Sequence, residues 1–347
     1  MRALVNGYGA YAGGIVRVHN SVTQELAKYY DVYVANAPRL HEADHRTTVL
    51  STQTDSRLAS FFRDLLAART ISRYDVRIDT APGLRFFTRA RKRYVIVHDL
   101  NFLDPKVHGI SWRQVVYRQL LHRWALPRCD HIVVVSEETR KELVSLVPSA
   151  ETKTLVLPLP VDHLAPYFRP RPRTKDPKRT AVRLMSFGHA QNKGVRSLLR
   201  AMEAEQGWTL DLVCPGQAWD QYWRDEAELT GTIDRVTVHS HIDDIRLVQL
   251  YEQADVFCML SSYEGYGLPV AEALSLGLPV ITSNIATLAA TGRGYAISVD
   301  PADPSAVRAA VRTARSMSGD HWERAQREFS DWTWEQWTLR LLQGTTQ

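Results

Sequence analysis

Two glutamates eight positions apart, Glu264 and Glu272, bracket the segment Glu264-Gly-Tyr-Gly-Leu-Pro-Val-Ala-Glu272. Gly265 and Gly267 allow backbone N–H groups to come close to a ligand. A helix start directly behind them would add free N–H groups and partial positive charge, which suits a phosphate. A carboxylate accepts hydrogen bonds from paired hydroxyls, so two of them suit a polyhydroxylated ligand. The residue types therefore point to a ligand carrying both phosphate and sugar hydroxyls. A second group, Gly188-His189-Ala-Gln-Asn-Lys193-Gly194, is a glycine-bounded loop with a lysine at a helix start, a pattern that can clamp a diphosphate. The plain alternatives are two solvated glutamates on a βαβ corner and a surface lysine.

Further candidates lie in the first half of the chain. Gly7-Tyr-Gly-Ala-Tyr-Ala-Gly13-Gly14 is a glycine-rich turn between a strand and a helix. Its spacing is Gly-x-Gly-x-x-x-Gly, and the strand that follows ends in Asn36 rather than an acid, so a nicotinamide site is not indicated. His98-Asp99-Leu-Asn101 follows an apolar run, where α/β folds place ligand groups, although Asp99 or Asn101 can equally cap a turn. His41 and His45 lack the fixed spacing of a metal site, and Asp243-Asp244 reads as a helix start.

These residues need strands and helices to position them. Val256 to Leu260 is apolar enough for a buried strand and Ser261 to Leu268 forms a loop. Pro269 opens a short helix over Val270 to Leu276, Gly277 ends it, and a strand follows from Pro279 to Thr282. The same alternation recurs along the chain. Strands are expected at Arg2–Asn6, Asp31–Ala35, Tyr74–Asp79, Tyr94–Val97, His131–Val135, Leu155–Leu157, Val182–Phe187, Leu210–Cys214 and Val236–His239. Helices are expected at Ile15–Tyr30, Leu58–Ala68, Trp112–Trp124, after the capping Ser136, at Val195–Met202 and from Ser305. Strands alternating with helices build parallel sheets.

The chain has 347 residues, enough for two domains with separate cores. Its charge of +5 invites anionic partners. The three cysteines, Cys129, Cys214 and Cys258, show neither disulfide nor zinc spacing, which suggests core residues in a reducing compartment. No signal peptide or bilayer-spanning run is seen, so a cytoplasmic location is expected. The basic stretch from Arg85 to Arg93 and the basic amphipathic helix Trp112–Trp124 suggest peripheral contact with an anionic membrane; the former could also bind single-stranded nucleic acid, and a solvated loop and a solvated helix face are the plain alternatives. Composition shifts at Pro158, and residues 158 to 179 read as a linker.

The Glu264-Gly-Tyr-Gly-Leu-Pro-Val-Ala-Glu272-Ala-Leu segment resembles the Glu-x7-Glu signature of retaining, sugar-nucleotide-dependent glycosyltransferases of the GT-B fold, family-4 type. His98-Asp-Leu and Val-Val-Ser136-Glu-Glu-Thr are similar to further segments of that family, the former usual in its mannosyltransferase-like members. The resemblance implies two Rossmann-like doubly wound domains facing across a cleft. It implies boundaries at 1–160 for the acceptor-side domain, 161–180 for the linker and 181–328 for the donor domain, with a closing helix at 329–347 returning to the first domain. Catalytic roles would fall to His98, Glu264 and Lys193. Donor binding would fall to Gly13, Gly14, His189, Arg196, Gly265, Tyr266, Gly267, Leu268 and Glu272, with Glu264 on the sugar and Glu272 on the ribose. The nucleobase would lie near His239, His241 and Ile242, and the acceptor near Asp99 and Asn101. Two positions depart from the family pattern. His189 stands where a phosphate-binding Arg or Thr is common, with Arg196 as a replacement, and Ala289-Ala290 stand where a Pro-Glu pair is common.

The reaction so implied transfers a hexose from a nucleoside diphosphate sugar, GDP-mannose as first choice, to a hydroxyl of a glycan or lipid-linked acceptor. No metal and no cofactor beyond the nucleotide sugar are expected, and nucleic acid is not an expected partner. A UDP-sugar-dependent transferase, an epimerase or hydrolase on the same fold, and a non-catalytic binder of anionic surfaces or nucleic acid remain as alternatives.

Overall fold

The computed structural model describes residues 1–7, 13–37, 45–50, 73–82, 89–103, 111–168, 181–214 and 216–344. They form two compact units. The first comprises Met1–Leu159 together with Trp334–Gln347, and the second Pro160–Thr333.

The first unit holds a parallel sheet of seven strands: β1 (Arg2–Asn6), β2 (Asp31–Ala35), β3 (Thr47–Val49), β4 (Tyr74–Asp79), β5 (Ala90–Val97), β6 (His131–Val134) and β7 (Thr154–Val156). Their order is β3-β2-β1-β4-β5-β6-β7. The chain winds outward from β1 to one edge and then from β4 to the other, so the crevice between β1 and β4 is the topological switch point. Helix α1 (Gly13–Ala27) buries Val18, Val22 and Leu26, the stripe that its 3.6-residue periodicity marks. Helices α2 (Trp112–Ala125) and α3 (Glu137–Leu146) flank the other half of the sheet. Ser136 caps α3 by accepting from the Thr139 N–H at 3.1 Å, as the sequence predicts.

The second unit repeats the pattern with six parallel strands: β8 (Val182–Phe187), β9 (Trp208–Cys214), β10 (Val236–Ser240), β11 (Val256–Met259), β12 (Val280–Ser283) and β13 (Ile297–Val299). The order β10-β9-β8-β11-β12-β13 puts its switch point between β8 and β11. Every residue of β11 and β12 is buried, because helices cover both faces of a parallel sheet. The helices are α4 (Val195–Glu203), α5 (Gln217–Leu229), α6 (Asp244–Gln253), α7 (Leu268–Ser275), α8 (Ala286–Gly292), α9 (Pro304–Ser316) and α10 (Gly319–Ser330). A last helix, α11 (Trp334–Gln343), lies in the first unit. There Trp337 is fully buried and its indole N–H donates to the Leu157 carbonyl at 3.4 Å, which makes it a packing residue. Residues 329–333 belong to the second unit, a few residues past the sequence-based boundary.

Several sequence expectations change. Residues 161–168, read as linker, pack within the second unit, and the rest of that stretch lies outside the described residues. The expected helix at 58–68 and the glycine turn at 8–12 also lie outside them. Arg91, Lys92 and Arg93 belong to β5 rather than a loop. Pairing of Ala90 with Tyr74 extends that strand, and its polar amino end stays exposed. Strands β3 and β13 are only three residues long and were not expected; helices α5 and α10 were not expected either, although α10 buries Trp322, Ala325 and Phe329 at helical spacing.

Candidate active site

In the second unit, the chain leaving β8 and the chain leaving β11 are drawn together at the switch point. The Ser262 N–H donates to the Asn192 carbonyl at 2.9 Å, and the Asn192 side-chain amide donates to the Tyr263 carbonyl at 3.2 Å. The two loops thereby run side by side. Gly194 makes this approach possible: its φ is +72°, and a Cβ there would lie 2.0 Å from the Leu260 carbonyl oxygen. With the loops so fixed, Lys193 Nζ donates to Glu264 Oε1 at 2.6 Å. Both side chains are about nine-tenths buried. Lys193 and Glu264, named independently from two segments 71 residues apart, are thus one ion pair. A buried pair of this kind is held by mutual neutralisation, and an entering anion offers the ammonium a second partner.

Behind Glu264 the chain turns at Gly267, whose φ of +91° places it in the left-handed region. A Cβ there would sit 2.5 Å from Leu288 Cδ2. Gly267 is the N-cap of α7, and it has no side chain to cap the helix itself. The buried Tyr266 is anchored through its carbonyl, which accepts from the Thr291 hydroxyl. Leu268 and Pro269 are the first two residues of α7, so Pro269 occupies the second helical position rather than the first. Leu288 fills the space beside Gly267, while Ala289 and Ala290 next to it are exposed.

Glu272 falls in the second turn of α7, not the first, and is 3% exposed. Its Oε1 lies 3.1 Å from His163 Nε2, and its Oε2 accepts from the Tyr251 hydroxyl at 2.9 Å. The sequence reading missed both partners. His163 lies in the proline-bearing stretch that shows no periodicity, and Tyr251 looks like an ordinary core residue of α6.

Arg196 is not available as a substitute phosphate cation in this structure. It projects from the exposed side of α4, where its guanidinium binds Glu226 at 2.6 Å and 2.8 Å and the Tyr222 hydroxyl at 2.5 Å. Position 196 is the second residue of α4, and the helical turn carries it away from Lys193 towards α5. His189 is exposed on the same loop as Lys193, with its ring edge-on to Phe187. His239 Nε2 lies 2.7 Å from Asp211 Oδ1. Burial opposes the ionisation of Asp211, but Arg183 and His239 hold its carboxyl below the ordinary range. The His239 side chain therefore serves the sheet. His241, with φ of +55°, and Ile242 make the turn leaving β10, two strands from β8.

The first unit carries a different arrangement at its own switch point. Asn36 donates to Asn6 Oδ1 at 2.9 Å, and Asn6 donates to Asp79 Oδ1 at 2.7 Å. Arg77 clasps Asp79 with two hydrogen bonds, of 2.9 Å and 2.8 Å. Thr80 donates to the Asn6 carbonyl, and the Thr80 carbonyl lies 3.0 Å from His98 Nε2. The ladder crosses the carboxyl ends of β2, β1, β4 and β5. Desolvation pushes the His98 pKa down to about 4, with the Thr80 hydrogen bond opposing, so the ring is neutral at pH 7. Asp99 Oδ1 accepts the Asn101 N–H at 3.2 Å and so caps the turn at Asn101–Leu103. Gly13 and Gly14 open α1. Apart from His98, the sequence reading assigned none of the ladder residues to a site, because isolated Asn, Thr and Asp at strand ends carry no pattern.

Two doubly wound parallel-sheet units with flanking helices match the architecture of GT-B glycosyltransferases, and solved structures of that class superimpose on nearly the whole chain. A sucrose-phosphate synthase from Thermosynechococcus elongatus matches with a TM-score of 0.78 at 19% identity, covering 99% of this chain and 98% of that one. WaaG, a glycosyltransferase involved in lipopolysaccharide biosynthesis, matches with a TM-score of 0.74 at 15% identity, covering 100% of both chains. The chain belongs to the group 1, family 4 glycosyltransferases: the Glycosyltransferase Family 4 model matches residues 12–163 and the Glycosyl transferases group 1 model residues 181–316. Among curated relatives, glycogen synthase of Mycobacterium tuberculosis is 27% identical over 66% of this chain, and that alignment takes in 56% of the relative's length. The O-antigen chain mannosyltransferase B of Escherichia coli is 26% identical over 73% of this chain and 70% of its own.

Proposed function

We propose that the protein is a retaining hexosyltransferase that moves mannose from GDP-mannose to a hydroxyl of a glycan or lipid-linked acceptor. The observation that carries the transferase reading is the buried Lys193–Glu264 pair at the β8/β11 switch point, beside the glycine-capped start of α7. The choice of mannose rests on two mannosyltransferases among the relatives, that of Escherichia coli and an α-(1→4)-mannosyltransferase of Mycolicibacterium hassiacum, 28% identical over 51% of this chain.

In this reading the donor diphosphate lies against Lys193 and the start of α7, and Glu264 turns from Lys193 to the hexose hydroxyls. The bond from the anomeric carbon to the phosphate oxygen breaks, and the acceptor oxygen bonds to the same face of that carbon. The acceptor proton passes to the leaving β-phosphate. No protein nucleophile takes part, and the protein acts by placing positive charge where negative charge develops. Glu272, oriented by His163 and Tyr251, meets the ribose. Main chain near His239 to Ile242 meets the base. His98, held neutral, borders the hexose as a hydrogen-bonding group rather than a charge, while Asp99 and Asn101 lie on the acceptor side.

Thermal stabilisation by a panel of GDP- and UDP-sugars tests the donor. GDP-mannose should raise the melting temperature most, and product analysis with and without acceptor then separates transfer from hydrolysis or epimerisation. Stabilisation by UDP-glucose alone would replace mannose with glucose. That second reading is favoured by an Anabaena HepE structure solved with UDP and glucose, which matches with a TM-score of 0.73 at 14% identity. No stabilisation by any nucleotide sugar would remove the site assignment.

A further inference from the structure

Helix α2 is apolar on the side it turns to solvent. Its inner side buries Val115, Leu121, His122 and Ala125 against the sheet. Its outer side presents Trp112, Val116, Tyr117, Leu120 and Trp124, each between 40% and 70% exposed. At 100° per residue these five project within one continuous outward sector, together with the exposed Arg113 and Arg123. Surface apolar residues scattered singly need no explanation, but a contiguous group this size marks a contact surface.

The charge on this face has one sign. From Trp112 to Arg128 the sequence contains four arginines and neither Asp nor Glu. Two of them lie over the indoles: the Arg113 guanidinium is 5.6 Å from the Trp112 ring centroid, and that of Arg128 is 4.4 Å from Trp124. The first acid beyond the helix, Asp130, accepts the Arg93 N–H at 2.8 Å. That contact sets the exposed Arg91 and Lys92 at the amino end of β5 close to the carboxyl end of α2. The helix is also fixed in place. A capping box between Ser111 and Gln114 closes its start, and Lys153 binds the Pro127 and Cys129 carbonyls just past its end. The outward face is therefore preformed.

We infer that the outer face of α2 docks on an anionic lipid bilayer, with its tryptophans and leucine in the interfacial layer and its arginines on the headgroups. Tryptophan and arginine suit this position because each joins an apolar body to a polar end. An acid-free, arginine-bearing face selects negatively charged lipid over a second copy of itself, whose matching face would bring like charges together. The helix spans about 21 Å, from 14 residues at about 1.5 Å each, and no described helix is long and apolar enough to cross a membrane, so contact is along the surface. The proposal rests on exposure and charge alone and does not depend on the transferase reading.

Co-sedimentation of the full chain with large unilamellar vesicles tests it. Vesicles of phosphatidylcholine and phosphatidylglycerol should bind at least tenfold more strongly than vesicles of phosphatidylcholine alone, and 0.5 M salt should remove most of that excess. Trp112→Ser with Leu120→Ser should lower partitioning by tenfold or more at an unchanged melting temperature. Arg113→Gln with Arg123→Gln should abolish most of the preference for anionic lipid. Equal binding to both vesicle types, or parental binding by both double variants, overturns the proposal. So does a dimer in sedimentation velocity that Trp112→Ser with Leu120→Ser dissociates, accompanied by no vesicle binding, since the face would then be a self-association surface.

Discussion

The crevice between β1 and β4 is bordered by Asn6 and Asp79, and the equivalent crevice between β8 and β11 by Lys193 and Glu264. Both sit at the switch point of a doubly wound sheet, and the two strand orders agree except for the extra edge strand β7 of the first. In the first, Asp79 is occupied three times over, by Asn6 and by two nitrogens of Arg77, and the ladder ends on a histidine held neutral by burial. In the second, a single short ion pair stands beside a helix start that no side chain caps. A fully satisfied polar ladder specifies structure, whereas a buried charge pair at a helix start can exchange partners with an anion. One topology thus carries a hydrogen-bonded polar ladder in the first unit and a buried ion pair beside a glycine-capped helix start in the second.

The sharpest way to break this contrast is to remove the carboxylate of the satisfied ladder. Asp79→Ala removes the carboxylate that clasps the buried Arg77 guanidinium and should cost about 3–5 kcal/mol in chemical denaturation. A variant that denatures with its parent would show that the ladder is not structural. The converse applies at the second crevice. Lys193→Met combined with Glu264→Gln removes both charges, so stability should change by only about 1 kcal/mol, while donor turnover should fall about 10²–10³-fold, the usual effect of losing electrostatic stabilisation of a transition state. Full turnover by the double variant would end the assignment of this pair to catalysis.

A smaller effect in the first unit depends on pH. His19 in α1 is completely buried, and desolvation lowers its pKa to about 4 from an ordinary 6.5. Because the folded value lies below the unfolded one, the unfolded chain takes up the proton first as pH falls. The contribution is whole above about pH 6.5 and declines down to about pH 4. It should amount to about 2 kcal/mol between pH 7 and pH 5, and His19→Gln should flatten the denaturation profile by that much. The smallest effect is expected at Arg196. Its pair with Glu226 is exposed, so Arg196→Ala should cost less than about 1 kcal/mol and leave the donor KM unchanged. A tenfold rise in KM would place Arg196 in the site after all.

Much of the fold was legible because parallel strands covered on both faces must be apolar throughout. Runs such as Val256–Met259 and His131–Val134 stand out for that reason. Elements with half-exposed faces were harder to see. β3 and β13 are three residues long with few buried positions, and β5 began earlier than its apolar run because backbone pairing with β4 continues into basic residues. At the site, Glu264, Glu272 and Lys193 were legible through spacing and flanking glycines. His163 and Tyr251 were not, because they approach Glu272 from elements 109 and 21 residues away in sequence, and nothing local marks such contacts.

By itself the sequence determined the alternation of strands and helices, the positions where glycine frees the backbone, and the residue types that suit phosphate and hydroxyls. Those are local properties, set by periodicity and by the chemistry of single side chains. Only the tertiary structure decided which charges meet. It joined Lys193 to Glu264, turned Arg196 to Glu226 and enclosed Glu272 between His163 and Tyr251. Pairing depends on strand order and on the direction in which each helix carries its residues, and both are fixed by packing the whole unit.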